Sequence, residues 1–350
     1  MGKLIIGIIF GGKSGEHDVS LMSATNVLEA IDKEKYETVQ IGITKKGKWM
    51  IYTGKIDSIK DGTWETDNDN LIVGFSVFDH PVFKSIDVFF PVLHGPNGED
   101  GTVQGLLKLI DKPFVGCGVL ASSVGMDKVY SKILFKNAGI PTGDHMSLYE
   151  KEWDLKQDKM IHNIEYTLKY PFFVKPANMG SSVGISKIHN REEMYKGITS
   201  AFEFDNKLIL EKAINCREIE CAVLGNVSPK ASVLGEVIPS KEFYDYQSKY
   251  YDGDKSILII PADINDTISD LIKEYAIKAF KAINGRGLAR VDFFIDKDTN
   301  EILINEINTL PGFTNISMYS KLWKETGIEY NKLIEKLISL AIDEYNQGCR

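Results

Sequence analysis

The chain opens on an uninterrupted apolar run, LIIGIIF at residues 4–10, halted by Gly11 and Gly12. A short run of this kind, bounded by glycines, predicts a buried strand. In the DVSLMSATNVLEAID segment that follows, apolar positions 19, 22, 27, 28 and 31 fall mostly on one helical face. YETVQIGIT (36–44) returns to strand character, and a strand–loop–helix–strand opening predicts a parallel α/β domain. Residues 45–85 are less periodic and predict a local strand or hairpin elaboration. SIDVFFPVLHG (85–95) is a further strand running into a glycine-rich turn, and TVQGLLKLI a short helix. The first domain is placed at 1–120.

A central unit, 121–212, begins with helical MDKVYSKILFKNAG, which a C-terminal glycine stops. A charged helix over 150–169, strand YPFFVKP, a turn containing GSSVG, strand ISKIH and strand KLILEK follow. The last unit, 213–350, starts with strands in REIECAVLG and SVLGEVIP. An aromatic, charged loop over 240–256 leads to a helix at 267–284, strands GLARVDFFI and EILINEIN, and a final helix through IEYNKLIEKLISLAIDEY. No repeat of 20–50 residues interrupts this order.

Composition narrows the class. With 350 residues, 43% apolar and 26% charged, the chain has the balance of a soluble protein with a sizeable core. No segment approaches the roughly 18 to 20 apolar residues of a membrane span. The first apolar run passes directly into glycines and charges, so it reads as a strand of the mature protein and not as a signal peptide. The formal charge of −8, without a Lys/Arg block, argues against a nucleic-acid surface. Cys117, Cys216, Cys221 and Cys349 lack metal-ligand spacing and are too sparse for a disulfide scaffold, which suits reduced thiols in a cytosolic protein.

Four segments carry candidate chemistry. GGKSGEHDVS (11–20) places glycines between a strand and a helix, where backbone N–H groups can approach an anion. It is not a full GxGxxG, and Glu16 and Asp18 oppose a diphosphate there. A carboxylate receiving a substrate ammonium, or a simple helix cap, are the other readings. KPANMGSSVG (175–184) sets Lys175 at a strand end before a turn that can fold over phosphates; its serines can equally be turn formers, and it is not a P-loop.

The strongest signal is ARVDFFIDKDTNEILINEIN (289–308), two alternating strands around a DKDTN turn. A turn centred near 299 makes Asp292 face Glu306 and Arg290 face Asn308. Opposed carboxylates repel; a hard cation such as Mg²⁺, which takes oxygen ligands and nucleotide phosphates, removes that penalty. The competing view is a solvated hairpin with chance acids, and the apolar strands around them weigh against it. Fourth, FYDYQSKYYDGD (243–254) carries five aromatics, fitting a lid that excludes water, with Lys249 near a phosphate and Tyr250 orienting another side chain. The alternative is aromatics that pin a long loop. HGPNGEDG (94–101) sits at another strand end, on the edge of the sheet where ligands collect.

Taken together, GGKSGEHDVS, HGPNGEDG, MDK, KPANMGSSVG, FYDYQSKY, ARVDFF and NEINTLPGFT, in that order over nearly the whole chain, resemble the D-alanine–D-alanine ligase family of the ATP-grasp fold. The long N-terminal domain with GITKKGKWMIYTG is also similar to vancomycin-resistance ligases that make D-alanyl-D-serine or D-alanyl-D-lactate. The resemblance implies an α/β, three-domain ATP-grasp ligase with an N-terminal parallel-sheet domain, acting in the cytoplasm as a homodimer. It implies ATP and D-alanine as substrates, and two divalent ions, Mg²⁺ or Mn²⁺.

Carried over residue by residue, Glu16 receives the first ammonium and forms a bridge with Ser181 and Tyr250. Lys128, Lys175, Ser182 and Lys249 serve the ATP phosphates. Glu211, Lys212, Ile214 and Glu218 line the adenine and ribose site, with Phe243 and Phe294 as apolar walls. Asp292, Glu306 and Asn308 match metal ligands, and Arg290 and Gly312 the oxyanion positions. Ser317 and Met318 match the second carboxylate site, and His94 and Glu99 lie behind the first. Tyrosine at 250, where histidine accompanies depsipeptide formation in relatives, disfavours D-lactate but not D-serine.

Competing readings are a nicotinamide oxidoreductase, another carboxylate–amine ligase of this fold, and a nucleotide-binding regulator without turnover. Phenylalanine at position 250 is expected to leave folding intact and to impair lid closure or use of the first substrate. A Tyr250→Phe variant with an unchanged steady-state profile for both substrates would reduce that tyrosine to packing.

Overall fold

A computed structural model of the chain describes residues 2–180, 182–238 and 257–348. The first sheet is built on β1 (Leu4–Gly11), followed by helix α1 (His17–Ala30), β2 (Tyr36–Ile43), β3 (Trp49–Tyr52), helix α2 (Ile56–Lys60), β4 (Leu71–Ile72), helix α3 (Pro81–Ser85) and β5 (Val88–Pro91). Its order is β4-β3-β2-β1-β5. The three strands β2, β1 and β5 are parallel, as the opening pattern predicts, whereas β3 and β4 add antiparallel pairs on one edge. The less periodic segment is thus a hairpin-like extension, so the sheet is mixed, parallel from β2 through β1 to β5 and antiparallel from β2 to β4. Trp64 fills the space beneath it against Phe10 and Tyr52.

Helix α4 (Thr102–Leu109) is followed by α5 (Val119–Met126) and α6 (Lys128–Asn137). Asp127 caps α6 by accepting from the N–H groups of Val129 and Tyr130 at 3.0 and 3.1 Å, the role expected of an Asp at that position. Helix α5 runs through residue 120, and its eight residues have no clear apolar period.

The second sheet contains β6 (His145–Tyr149), β7 (Phe172–Pro176), β8 (Ser186–Ile188) and β9 (Lys207–Lys212), in the order β6-β9-β7-β8 and wholly antiparallel. Helices α7 (Glu150–Thr167) and α8 (Arg191–Phe202) cover it through Trp153, Ile161, Ile164, Met194 and Ile198. The third sheet is formed by β10 (Cys216–Leu224), β11 (Lys230–Ile238), β12 (Ile257–Ile259), β13 (Leu288–Asp296) and β14 (Ile302–Asn308), ordered β12-β11-β10-β13-β14 and antiparallel throughout. Helix α9 (Asp266–Ala282) packs on one face through Ile272, Ala276, Ala279 and Phe280.

The last two helices, α10 (Met318–Glu325) and α11 (Tyr330–Gly348), join distant parts of the chain. Leu333, Ile334, Leu337 and Ile338 share one buried cluster with Ile6, Ile8 and Phe10 of β1. Phe313, just before α10, packs its ring 5.7 Å from Phe90 of β5 and 5.4 Å from Tyr330. Ring pairs at these separations are favourable beyond the area they bury. The C-terminal loop is therefore fixed against the first sheet, and the catalytic candidates at its tip inherit that position. A second tie is a parallel bridge between Thr142 and Ile304, where the Ile304 N–H donates to Pro141 at 2.9 Å.

Candidate active site

A cleft of about 400 Å³ lies where the three sheets meet. Its walls include every sequence-predicted site residue that falls among the described ones: Glu16, His94 and Glu99 from the first unit, Lys128, Lys175, Ser182, Glu211 and Lys212 from the second, and Ile214, Glu218, Arg290, Asp292, Phe294, Glu306, Asn308, Gly312, Ser317 and Met318 from the third. Ser181, Phe243, Lys249 and Tyr250 lie outside the described residues.

The first wall is made by loops at the carboxyl ends of β1 and β5. Gly11 has φ +87°, and a Cβ there would fall 2.2 Å from the carbonyl oxygen of Ile43, so no side chain fits at this turn. Ser20 holds the two parallel strands together: its Oγ accepts from the Gly11 N–H at 2.8 Å and donates to the Val92 carbonyl. Ser14 Oγ donates to the His94 carbonyl at 2.6 Å and accepts from the Glu16 N–H at 3.2 Å, joining the two loops.

Glu16 occupies the N-cap position of α1 but makes no side-chain cap bond. Its carboxylate instead lies against two glycines: a Cβ at Gly95 would come within 2.6 Å of Oε2, and one at Gly180 within 3.2 Å. The helix-cap reading of Glu16 is therefore replaced by a carboxylate aimed at the cleft. Asp18, the second acid of that motif, pairs with Lys45 at 3.0 Å on the exposed side.

His94 is buried. Its Nδ1 lies 3.2 Å from the Leu310 carbonyl and its Nε2 3.0 Å from Ser23 Oγ. A carbonyl accepts only, so Nδ1 carries the proton and Nε2 accepts from Ser23. Burial lowers the imidazole pKa and keeps the ring neutral, against the pull of Glu16. Glu99 accepts from the Gly95 N–H at 2.9 Å. Withdrawal from water, helped by the neighbouring Glu16 carboxylate, pushes its pKa up to about 8.

The opposite wall is cationic. Lys128, at the start of α6, donates to the Met179 carbonyl at 2.7 Å and stands 3.7 Å from Glu306. Lys175, at the end of β7, pairs with Glu211 at 2.6 Å, and Lys132, one turn after Lys128, pairs with the other Glu211 oxygen at 2.7 Å. Burial favours the neutral acid, but the two ammonium groups outweigh it and hold Glu211 far below the ordinary carboxylate range. Burial likewise opposes the charge on Lys175, and Glu211 overcomes it, raising that pKa. Ser182, with φ +60°, and Gly180 form the turn beside these cations.

The acidic hairpin has the register its sequence predicts: Arg290 opposite Asn308 and Asp292 opposite Glu306. A bulge between Asp292 and Phe293 skips Asn305, so Ile304 turns into the core while Glu306 and Asn308 face the cleft. The same rung continues to Glu220, which pairs with Asp292 from β10. Three carboxylates thus stand side by side.

Arg290 offsets part of their repulsion from within the sheet itself. Its guanidinium binds Asp292 through Nε and an Nη at 2.7 Å each, and lies 2.9 Å from Glu220. Burial disfavours the guanidinium charge, yet Asp292 and Glu220 raise its pKa well above an ordinary arginine's. Asn308 Nδ2 donates to Asp292 at 3.0 Å. Among the described residues no group of three or more His, Cys, Asp or Glu is arranged to hold a metal. The metal candidates are two carboxylates and an amide.

On the last wall, Ser317 Oγ accepts from the Thr314 N–H at 3.1 Å and meets Thr314 Oγ1 at 2.8 Å, setting the loop before α10. Met318 is buried against Gly235, where a Cβ would meet its sulfur at 2.8 Å.

Sequence reasoning passed over Lys132, Glu220 and Ser14. The first follows Lys128 by four residues, a spacing that shares one helix face, and the second follows Glu218 by two on one strand face. Cys117, Cys216 and Cys221 are free thiols, as their spacing implied, and His80 caps α3.

The chain is an α/β protein with residues of its second and third sheets lining one cleft, and its structural neighbours are ligases of the ATP-grasp fold. Its segment 5–117 matches the family model for the D-ala D-ala ligase N-terminus, and 134–339 matches that for the D-ala D-ala ligase C-terminus. It is 51% identical over 360 residues to the D-alanine–D-alanine ligase of Thermoanaerobacter sp. (strain X514), spanning 100% of this chain and 99% of that one. The D-alanine–D-alanine ligase of Acetivibrio thermocellus is 50% identical over 365 residues, with 98% and 97% covered. The VanG D-Ala:D-Ser ligase from Enterococcus faecalis superposes with a TM-score of 0.88 at 38% identity, over 97% of this chain and 100% of that chain. The D-alanine–D-alanine ligase from Coxiella burnetii gives 0.85 at 34%, over 100% and 97%. The chain belongs to the D-alanine–D-alanine ligase family.

Glu99 provides a pH test of the first wall. Its folded pKa of about 8 lies above the ordinary glutamate value of 4.5. Its contribution to stability is thus complete below pH 4.5 and is lost as the pH rises toward 8. Glu99→Gln is expected to flatten that decline, by on the order of 1 kcal/mol per pH unit, in urea unfolding across the interval. Parallel curves for variant and wild type would show an ordinary, ionised Glu99.

Proposed function

We propose that this enzyme joins two D-alanines to D-alanyl-D-alanine at the expense of ATP, for peptidoglycan precursor synthesis. The observation that carries this reading is the cleft itself, which sets one ammonium-seeking carboxylate, Glu16, across from a cation wall and an acidic hairpin. In the first step the carboxylate of the first D-alanine attacks the γ-phosphoryl group of ATP, giving an acyl phosphate and ADP. In the second, the amine of the other D-alanine attacks the acyl carbon through a tetrahedral intermediate, and phosphate leaves.

Glu16 binds the ammonium of the first D-alanine, and neutral His94 and the Ser14 bridge hold the two loops around it. Lys128 and Lys175 bind the phosphates and offset the charge that develops during transfer. Glu211, Lys212, Ile214, Glu218 and Phe294 line the adenine and ribose end. Arg290 and the backbone N–H of Gly312 stabilise the oxyanion, and the loop at Ser317 and Met318 receives the second carboxylate. Ser181 and Tyr250 complete the link to Glu16, with Phe243 and Lys249 on the same lid; all four are assigned from sequence.

The donor set of Asp292, Glu306 and Asn308 is made of hard oxygens on neighbouring strands and fits magnesium, or manganese, as two ions. Bound there, the metal would neutralise phosphate charge and orient the γ-phosphoryl group. Arg290 would share Asp292 with the metal and holds that carboxylate oriented toward the cleft. ATP and free D-amino acids place the reaction in the cytoplasm, and a homodimer is the assembly that fits the family. No helix among the described residues is long and apolar enough to cross a membrane.

D-serine as the second substrate is the other reading, favoured by the likeness to the VanG D-Ala:D-Ser ligase. Product identification alongside ADP release decides between them, with D-alanine alone, with added D-serine or D-lactate, and with L-alanine as the stereochemical control. ADP formation that ignores D-alanine would refute the ligase. Asp292→Asn is expected to lower kcat on the order of 100-fold and to weaken the magnesium dependence. Equal turnover and equal magnesium response in that variant would remove Asp292 from the metal site.

A further inference from the structure

Lys132 has the environment of a working residue, yet it is assigned no part in the reaction. Its side chain is 3% exposed, on the same face of α6 as Lys128, and lines the cleft. A buried ammonium needs full compensation. Lys132 finds it in three oxygens from two different sheets: Glu211 Oε1 at 2.7 Å, the Asn305 carbonyl at 2.9 Å and the Ile304 carbonyl at 3.5 Å.

Each partner sits at a point that matters. Glu211 ends β9 and is shared with Lys175, so its carboxylate fixes the second lysine as well. Asn305 is the residue skipped by the β13–β14 bulge. A bulged residue loses its place in the ladder, and here its carbonyl is taken up by Lys132. The next residue is Glu306.

We propose that Lys132 is a positioning residue that sets the distance between the nucleotide-binding cations and the acidic hairpin, by joining Glu211 of the second sheet to the bulged carbonyl of Asn305 in the third. It acts through Glu211 and the bulge and does not itself touch substrate. Methionine at this position would keep the stem but release both partners. Glu211 would lose one of its two cations, and the bulge its only buried ammonium contact among the described residues. Lys175 and Glu306 would then be free to shift relative to one another. The D-alanine side is built on Glu16 and His94 at the first sheet, whereas the partners of Lys132 lie on β9 and β14.

This inference rests on the ATP-dependent reading, so the test includes a readout independent of turnover. Equilibrium titration of the full chain with ATP, with and without Mg²⁺, compares wild type, Lys132→Met and Lys132→Arg. Steady-state assays separate KM for ATP, KM for D-alanine and the magnesium half-saturation.

Lys132→Met is expected to weaken nucleotide binding and raise the magnesium half-saturation roughly tenfold, the scale seen when partners behind a metal site are removed. KM for the first D-alanine should stay within about twofold, and Lys132→Arg, which keeps the charge, should recover part of the loss. ATP binding and magnesium response within threefold of wild type in a folded Lys132→Met protein would overturn the assignment, as would an equal loss on the D-alanine side. If that variant does not fold, Lys132→Arg decides, since its longer planar fork alters the reach: a change of threefold or more in nucleotide affinity supports the proposal, and a smaller one overturns it. A wild type that binds ATP but never forms a dipeptide refutes the ligase reading and leaves the role of Lys132 to these titrations.

Discussion

Three carboxylates on one rung of an antiparallel sheet, Glu220, Asp292 and Glu306, set the terms for the rest of this molecule. Adjacent strands run about 4.8 Å apart, so side chains on a common face cannot escape one another, and like charges there destabilise. The chain answers with Arg290, two residues along the same strand face, whose guanidinium reaches back to Asp292 and across to Glu220. Lys128 approaches Glu306 from a helix on the far wall. Positive charge is thus drawn toward this rung from two directions, and the cleft is the space left between them.

The facing wall solves the inverse problem. Lys132 and Lys175 converge on a single buried acid, and burial that would neutralise Glu211 is overcome by two neighbours of opposite sign. The two walls are electrically complementary and are linked through backbone carbonyls at the bulge. A polyanion with a bound cation has matching partners on either side, whereas a neutral ligand would leave much of this charge unused. The Glu16 end follows a different logic. There, close glycines admit a carboxylate, and hydroxyls of Ser14, Ser20 and Ser23 stitch the loops without adding charge.

Much of this was legible in the chain. Alternation about the DKDTN turn gave the pairing of β13 with β14 residue by residue, because a strand's period of two leaves few registers that keep its apolar face inward. The glycine-rich ends of β1 and β5 pointed to the ligand edge of the sheet. The rest depends on contacts that local pattern does not encode. Helix α5 is short and mixes small with apolar residues, without a period to announce it. The clasp of Arg290 on Asp292 is a choice of rotamer, and the partnership of Lys132 with Glu211 spans elements far apart in sequence. Glu220 joined the acidic row only once β10 was known to pair with β13.

The packing of α11 against β5 and α1 has a bearing on how the molecule comes into being. Leu333, Leu337 and Ile338 share one buried cluster with Ile6, Ile8 and Phe10, and α11 packs against β5 and α1, so the core on one face of the first sheet takes in a helix far along the chain. At a synthesis rate of about 5 to 20 residues per second, that part of the core waits on the ribosome until residues 333–338 have been made. Until then the nascent first sheet has α1 on that face but lacks these later apolar partners, so its full packing is deferred to the synthesis of α11.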